Sequence, residues 1–382
     1  MDKDDAAREI AAYFLREVLV EEAEEDEDYP IAAEDRPPSD GVDELAESIF
    51  SEAEKIGIDP SGFSAEQVNV GDDIVDEEAL RSEVKIIGPD EALERLSSVE
   101  NRPNCSLRMF STQDLDNLVE KGRVLRLNIF EETCADTFPD EIDRLIHEGL
   151  IAEASDRLAP NGTPTEWITN QGIVWTGHYG DSAVLRESRP LSALYESMVS
   201  FAEGYNLAIE KAGEKNVDNL PPKISPEGVE LNVNCVLGAP AAQWRGLHLH
   251  KDMFRFTDGL QGLSEDSIRH AAIRSRALTI SVYFRREDAR SARLRSPGGA
   301  LVFVEPTNAR KPGERAIFDI VLADHNSGAI FLPSTVHGVG GMPQRAEIRY
   351  SAQAFFPELS AWENEIRPRI EAGELEEELQ PS

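Results

Sequence analysis

The chain has 382 residues, 40% of them hydrophobic, and a formal charge of −35, which is enough apolar content for one large domain with additions or for two domains. The charge is concentrated: residues 1–100 hold 32 Asp and Glu against 8 Lys and Arg, residues 358–382 hold 8 against 2, and the stretch between is nearly balanced at 33 against 28. A duplex nucleic-acid partner is disfavoured because phosphate binding needs a basic footprint, and no run approaches the roughly 18 apolar residues of a membrane-spanning helix.

In chain order, residues 5–22 show helical spacing in Ile10, Tyr13, Phe14, Val18 and Leu19, and then "EEAEEDEDYPIAAEDRPPSDG" breaks into an acidic, proline-containing linker. That arm reads either as a solvated tether or as a docking segment for a basic partner. The start lacks a basic n-region and a continuous apolar core, so neither a signal peptide nor an anchor is expected. Cys105, Cys134 and Cys235 are scattered, with none in a C-x-x-C pair, and a reducing cytoplasm is the expected compartment. Helices are expected at 42–56 and 90–97, a strand at 122–130, and a helix at 139–156 that buries Ile142, Leu145, Ile146, Leu150 and Ile151. Residues 165–180 turn strand-like, and an amphipathic helix follows at about 190–211.

From there the pattern is strongly β, with candidate strands at 230–238, 246–254, 277–285, 299–306, 315–322, 328–333, 335–340 and 346–356. Short strands separated by "SPGG" and "DHNSG" turn chemistry predict an α+β chain whose core is a jelly roll or barrel with flanking helices. The expected organisation is an acidic, partly helical region at 1–100, a main domain at 101–357 with its jelly-roll core at about 229–357, and an acidic C-terminal helix or tail at 358–382.

The second of these strands, "GLHLHKDMF", carries the chemistry. Side chains two apart on a strand share a face, so His250 and Asp252 could grip one ion, with His248 lined up behind them. His337 falls on the seventh strand, and Arg349 and Ser351 on the eighth. This H-x-D…H…R-x-S pattern, with "HLHKD", "PGGALVF", "SGAIFLPSTVHGV" and "RYSAQAFF" in order, resembles the Fe(II)- and 2-oxoglutarate-dependent oxygenase superfamily, whose fold is a double-stranded β-helix. The resemblance covers residues 229–357 and says nothing of the first hundred. The ligand histidines stand 87 residues apart, wider than usual, which implies an insertion with loops at 285–296 and 307–315.

The resemblance implies three metal ligands, His250, Asp252 and His337, and a cosubstrate clamp of Arg349 and Ser351. Physical chemistry agrees with those roles. Two imidazoles and one carboxylate on a single face suit ferrous iron and leave adjacent positions open, whereas a closed four-ligand zinc site leaves none. Arg349 offers a planar fork for the far carboxylate of the oxo-acid, and Ser351 shares its strand face. Arg345 is the alternative cation, 8 residues after His337 where Arg349 is 12, but Arg345 follows an apparent turn. Asn234, like Asn232, would face the barrel interior and either hold the oxo-acid or act as a satisfied core amide. His248 reads as a neighbour of the ligands or as part of the substrate-binding cavity lining, not as a ligand. Trp175, Trp244 and Phe254 could line a substrate pocket, although such aromatics more commonly pack in a core. His178, His270 and His325 are expected at the surface or in loops.

What the resemblance implies for activity is oxidative decarboxylation of 2-oxoglutarate by O2 to succinate and CO2, coupled to oxidation of an unactivated C–H bond. Hydroxylation, or desaturation or cyclisation, is favoured over halogenation because halogenating relatives lack the carboxylate that Asp252 supplies, and of these hydroxylation is the expected outcome. The expected substrate is a small molecule such as an amino acid or natural-product intermediate, with no nucleic-acid or membrane partner. The alternatives are a protein side-chain hydroxylase recruited through the acidic arm, and a jelly-roll module that binds metal without catalysis. Neither oligomeric state nor substrate identity follows from the sequence.

Overall fold

This computed structural model describes residues 88–97, 106–107, 109–131, 134–153, 173–179, 183–215, 217, 219–237, 247–250, 252, 267–286, 299–304, 318–339 and 348–375. The expected helices at 5–22 and 42–56, the acidic linker and most of the two insertion loops lie outside the described residues. The first part of the described chain runs α1 (Pro89–Ser97), β1 (Ser106–Leu107), α2 (Thr112–Lys121), β2 (Arg123–Leu127), β3 (Phe130–Glu131), α3 (Cys134–His147), β4 (Ala152–Glu153), β5 (Ile173–His178), α4 (Ala183–Glu187) and α5 (Arg189–Gly213). The second part runs β6 (Glu230–Leu237), β7 (Leu247–His250), α6 (Ile268–Arg274), β8 (Arg276–Phe284), β9 (Leu301–Val304), β10 (Phe318–Val321), β11 (Ser327–Phe331), β12 (His337–Val339) and β13 (Arg349–Pro357). It closes with α7 (Leu359–Ala361), a π turn (Trp362–Ile366) and α8 (Arg367–Glu371).

Strands β6 to β13 divide between two sheets. The larger has the order β2-β11-β8-β13-β6-β5-β4 and the smaller β10-β9-β12-β7. Counted from β6, the first, eighth, third and sixth strands lie side by side in one sheet, and the second, seventh, fourth and fifth in the other, which is the jelly-roll order. Neighbouring strands pair antiparallel throughout.

The period of two assigns each face of the large sheet. Leu231, Val233 and Cys235 of β6, Ile280, Val282 and Phe284 of β8, and Tyr350, Ala352 and Phe356 of β13 join one core with Phe138, Ile142 and Leu145 of α3 and Leu194, Met198 and Phe201 of α5. The opposite face looks into the jelly roll, where Tyr283 packs with Leu301, Phe303, Phe331 and Val339 between the sheets. Among the described residues, no helix is long and apolar enough to cross a membrane.

Several elements differ from the sequence reading. The strand expected at 122–130 is interrupted at Asn128, which takes φ 54°, and resumes as β3. The helix expected at 139–156 starts at Cys134 and stops at His147, because Gly149 at φ 71° turns the chain and Leu145 O accepts from both Leu150 and Ile151 N–H. Helix α2 was missed despite its signals: Ser111 and Asp114 form a capping box, and Gly122 closes the C-terminus at φ 70°. Helix α6 was missed as well.

Candidate metal and cosubstrate site

The placement of His337 begins at the end of α2. Gly122, in the left-handed region, accepts through its carbonyl from Leu332 N at 2.8 Å and from Thr335 Oγ1 at 2.9 Å. A Cβ at position 122 would lie against Thr335 Oγ1, so glycine is required on two counts. The Thr335 carbonyl in turn lies 3.0 Å from His337 Nδ1. A carbonyl can only accept, so Nδ1 carries a hydrogen, and in the neutral imidazole Nε2 is then the nitrogen with the lone pair. Phe331 and Phe303 hold the ring, with centroids 4.5 and 5.9 Å away.

His337 Nε2 faces Asp252. His337 Nε2 and Asp252 Oδ1 are 3.7 Å apart, and both side chains are largely buried. The second carboxylate oxygen accepts from Thr279 Oγ1 at 2.8 Å, so the large sheet fixes a carboxylate that belongs to the edge of the small one. Asp252 itself does not continue the strand: β7 ends at His250, and Asp252 sits in a bend. This corrects the expectation of one strand over 246–254; the carboxylate reaches its position by turning toward Thr279. The backbone of His250 is the register partner of His337. The side chains of His248 and His250 lie outside the described residues, and among the described residues no three His, Cys, Asp or Glu side chains form a metal cluster. The described pair, His337 Nε2 and Asp252 Oδ1, is spaced for one ion. A gap of 3.7 Å is shorter than two metal–ligand bonds of about 2.0–2.2 Å placed end to end, so one ion can reach both atoms.

Arg349 and Ser351 occupy the same inner face of the large sheet, one row apart on β13. Ser351 pairs across the ladder with Asn234 on one side and Tyr283 on the other, and all are buried. Arg349 Nη1 donates to Gly299 O at 3.1 Å, and its guanidinium carbon stands 5.7 Å from the Tyr283 ring centroid. Burial lowers the pKa of Arg349 and raises that of the Tyr283 phenol. A carboxylate brought against this guanidinium would offset the desolvation of its charge. Tyr283 and Thr279 were not singled out from the sequence, although both follow the inward alternation of β8.

Other expected site residues fare differently. Trp175 pairs with Cys235 and belongs to the helix-side core. It therefore points away from the jelly-roll interior, and its assignment to a substrate pocket is corrected to packing. Trp244, Phe254 and Arg345 lie outside the described residues. His178 is not a surface histidine: it stands on β5, pairs with Asn232 on the inner face, and its Nδ1 meets Asn232 Oδ1. His270 is buried on α6, where Ser267 caps its N–H. His325 accepts from Arg285 N at 3.2 Å.

No family model and no curated protein sequence matches this chain. Solved structures do match. A prolyl 4-hydroxylase from Phytophthora capsici is 16% identical over 65% of this chain, with a TM-score of 0.38, and the match spans only 63% of that protein. A prolyl-4-hydroxylase from Pseudomonas putida is 12% identical over 64% of this chain and 98% of its own, with a TM-score of 0.39. An oxidoreductase of the 2OG-Fe(II) oxygenase family from Burkholderia pseudomallei is 12% identical over 66% and 92%, with a TM-score of 0.32. Overlaps this loose leave the chemistry to be read from the chain's own side chains.

Proposed function

We propose that the protein is an Fe(II)- and 2-oxoglutarate-dependent oxygenase that oxidises, most simply by hydroxylation, a C–H bond of a small molecule. The observation that carries this is the convergence of His337 Nε2 and Asp252 Oδ1 at 3.7 Å, on the same interior as a buried arginine that opens β13. His250, register partner of His337, is assigned as the third ligand.

In this reading His250, Asp252 and His337 hold Fe(II), which supplies dioxygen activation coupled to decarboxylation of the oxo-acid. Thr335 keeps the His337 tautomer by accepting from Nδ1, and Thr279 orients the Asp252 carboxylate, as outer partners of metal ligands do. Arg349 takes the distal carboxylate of 2-oxoglutarate, with Ser351 and the Tyr283 hydroxyl as further donors and Asn234 beside them. The apolar wall of Phe303, Phe331, Leu301 and Val339 excludes water from the space between.

The test is succinate release by the purified chain supplied with Fe(II), 2-oxoglutarate and O2 across a panel of small acids, amines and peptides. Fe(II)-dependent succinate that disappears in Asp252→Ala supports the reading. No Fe(II)-dependent succinate with any panel member contradicts it and leaves a metal-binding jelly roll.

A further inference from the structure

Arg276, at the start of β8, was not singled out from the sequence. Its Nη2 donates to Glu230 Oε2 at 2.8 Å, and its guanidinium carbon lies 3.8 Å from the centroid of the Phe355 ring. Its Nε is buried without a hydrogen-bond partner among the described residues. Glu230 Oε1 lies 3.5 Å from His178 Nδ1, which also meets Asn232. The side chains of Arg276, Glu230 and His178 keep only 17, 12 and 16% of their exposure.

Stacking on Phe355 and bracing by Glu230 fix the plane of a guanidinium that has five N–H donors. One edge goes to Glu230. A buried donor left unsatisfied is uncommon and asks for a ligand, and the ligand that matches the planar fork of a guanidinium is a carboxylate.

The placement relative to the metal is set by register. Thr279, which holds Asp252, pairs with Phe355, and Phe355 pairs with Glu230. With strands about 4.8 Å apart, Glu230 lies roughly 10 Å across the sheet from Thr279. Arg349 lies six residues back along β13 from Phe355, about 20 Å of strand. The two arginines thus flank the row that carries the metal ligand's support, one on the cosubstrate side and one on the other.

We propose that Arg276, held flat between Phe355 and Glu230, binds a carboxylate of the substrate, and that the substrate class is small free carboxylic acids, α-amino acids included. The proposal rests on the oxygenase reading for its place beside the metal, but its test does not depend on turnover. Ligand binding is measured by calorimetry on the full chain, without O2, in excess Fe(II) and 2-oxoglutarate so that the Arg349 side is already supplied. The probes are the common L-amino acids and simple aliphatic and aromatic monocarboxylates, each beside its primary amide. The expected result is that at least one acid binds tenfold or more tightly than its amide, that Arg276→Gln removes this preference, and that Arg276→Lys restores part of it. Equal binding of acid and amide by the wild type, no binding of any acid, or a preference that persists in Arg276→Gln overturns the proposal. The wild-type comparison stands even where a variant does not fold. No acid preference in the wild type, or one that persists in Arg276→Gln, with Fe(II)-dependent succinate release intact refutes this assignment alone; an acid preference that Arg276→Gln removes, without succinate release, refutes the oxygenase reading alone.

Discussion

The two faces of the large sheet use the same strands for opposite purposes. On β13 the helix-side residues Tyr350, Ala352, Ala354 and Phe356 enter the main core, whereas Arg349, Ser351, Gln353 and Phe355 alternate with them toward the other sheet. On β8, Ile280 and Val282 are core, and Thr279, Ser281 and Tyr283 face inward beside them. The helix-side face is mainly apolar, and the buried Asp143 packed against it accepts from Tyr350 Oη at 2.7 Å and stands 3.5 Å from Arg286 Nη1. The inner face concentrates the donors and charges. In the proposed reading one face holds the fold and the other performs chemistry, and because neighbours on a strand serve different faces, substitutions one residue apart should separate stability from function.

The sharpest break is at the metal. His337→Ala or Asp252→Ala should reduce Fe(II)-dependent succinate release to background while the thermal midpoint moves by only a few degrees, since neither side chain belongs to the helix-side core. Unchanged turnover in either would remove that residue from the site. On the opposite face, Trp175→Ala or Phe356→Ala should cost about 3–5 kcal/mol of stability by large-to-small truncation in a packed core. Chemical denaturation measures that cost, and the 2-oxoglutarate constant of the folded fraction should be unchanged.

Arg349→Ala should leave iron bound but weaken 2-oxoglutarate by about 2–5 kcal/mol, the range for truncating one partner of a buried charged pair. Lysine at 349 should recover part of it, because the charge remains and the fork is lost. If Arg345→Ala is instead the damaging change, the cosubstrate clamp has been assigned to the wrong arginine. Thr279→Val, which removes only the hydroxyl that holds Asp252, should weaken Fe(II) by roughly 10–100-fold, read by metal titration. Ser351→Ala should be the mildest, a loss of about 0.5–1.5 kcal/mol in 2-oxoglutarate binding for one hydrogen bond.

The jelly roll was legible because eight short apolar strands are separated by turn residues, and the alternation within the first and eighth put Arg349 and Ser351 on one face and turned Asn234 toward the barrel interior. Trp175 was read as a pocket residue because it is an aromatic near the motif; its pairing with Cys235 on the helix-side face depends on which strand lies beside β5. Partners brought together only by the fold were not legible. Thr279 is 27 residues from Asp252, Glu230 is 46 from Arg276, and His178 is 54 from Asn232. No local pattern links such pairs; each depends on which strand lies next to which. Helix α2 is a different case: its capping box and closing glycine were present in "STQD" and Gly122, but its ten residues carry few apolar positions for a periodicity to show.

In the proposed centre a single iron is held at the junction of the two sheets by His250, Asp252 and His337. Its most direct test is the stoichiometry and affinity of Fe(II), measured without O2 by equilibrium titration of the wild type and of the three single alanine variants. The account predicts one Fe(II) per wild-type chain and, in each variant, a loss of binding that leaves the fold intact. Wild-type binding that survives unchanged in any of the three, or no stoichiometric binding by the wild type, would contradict it.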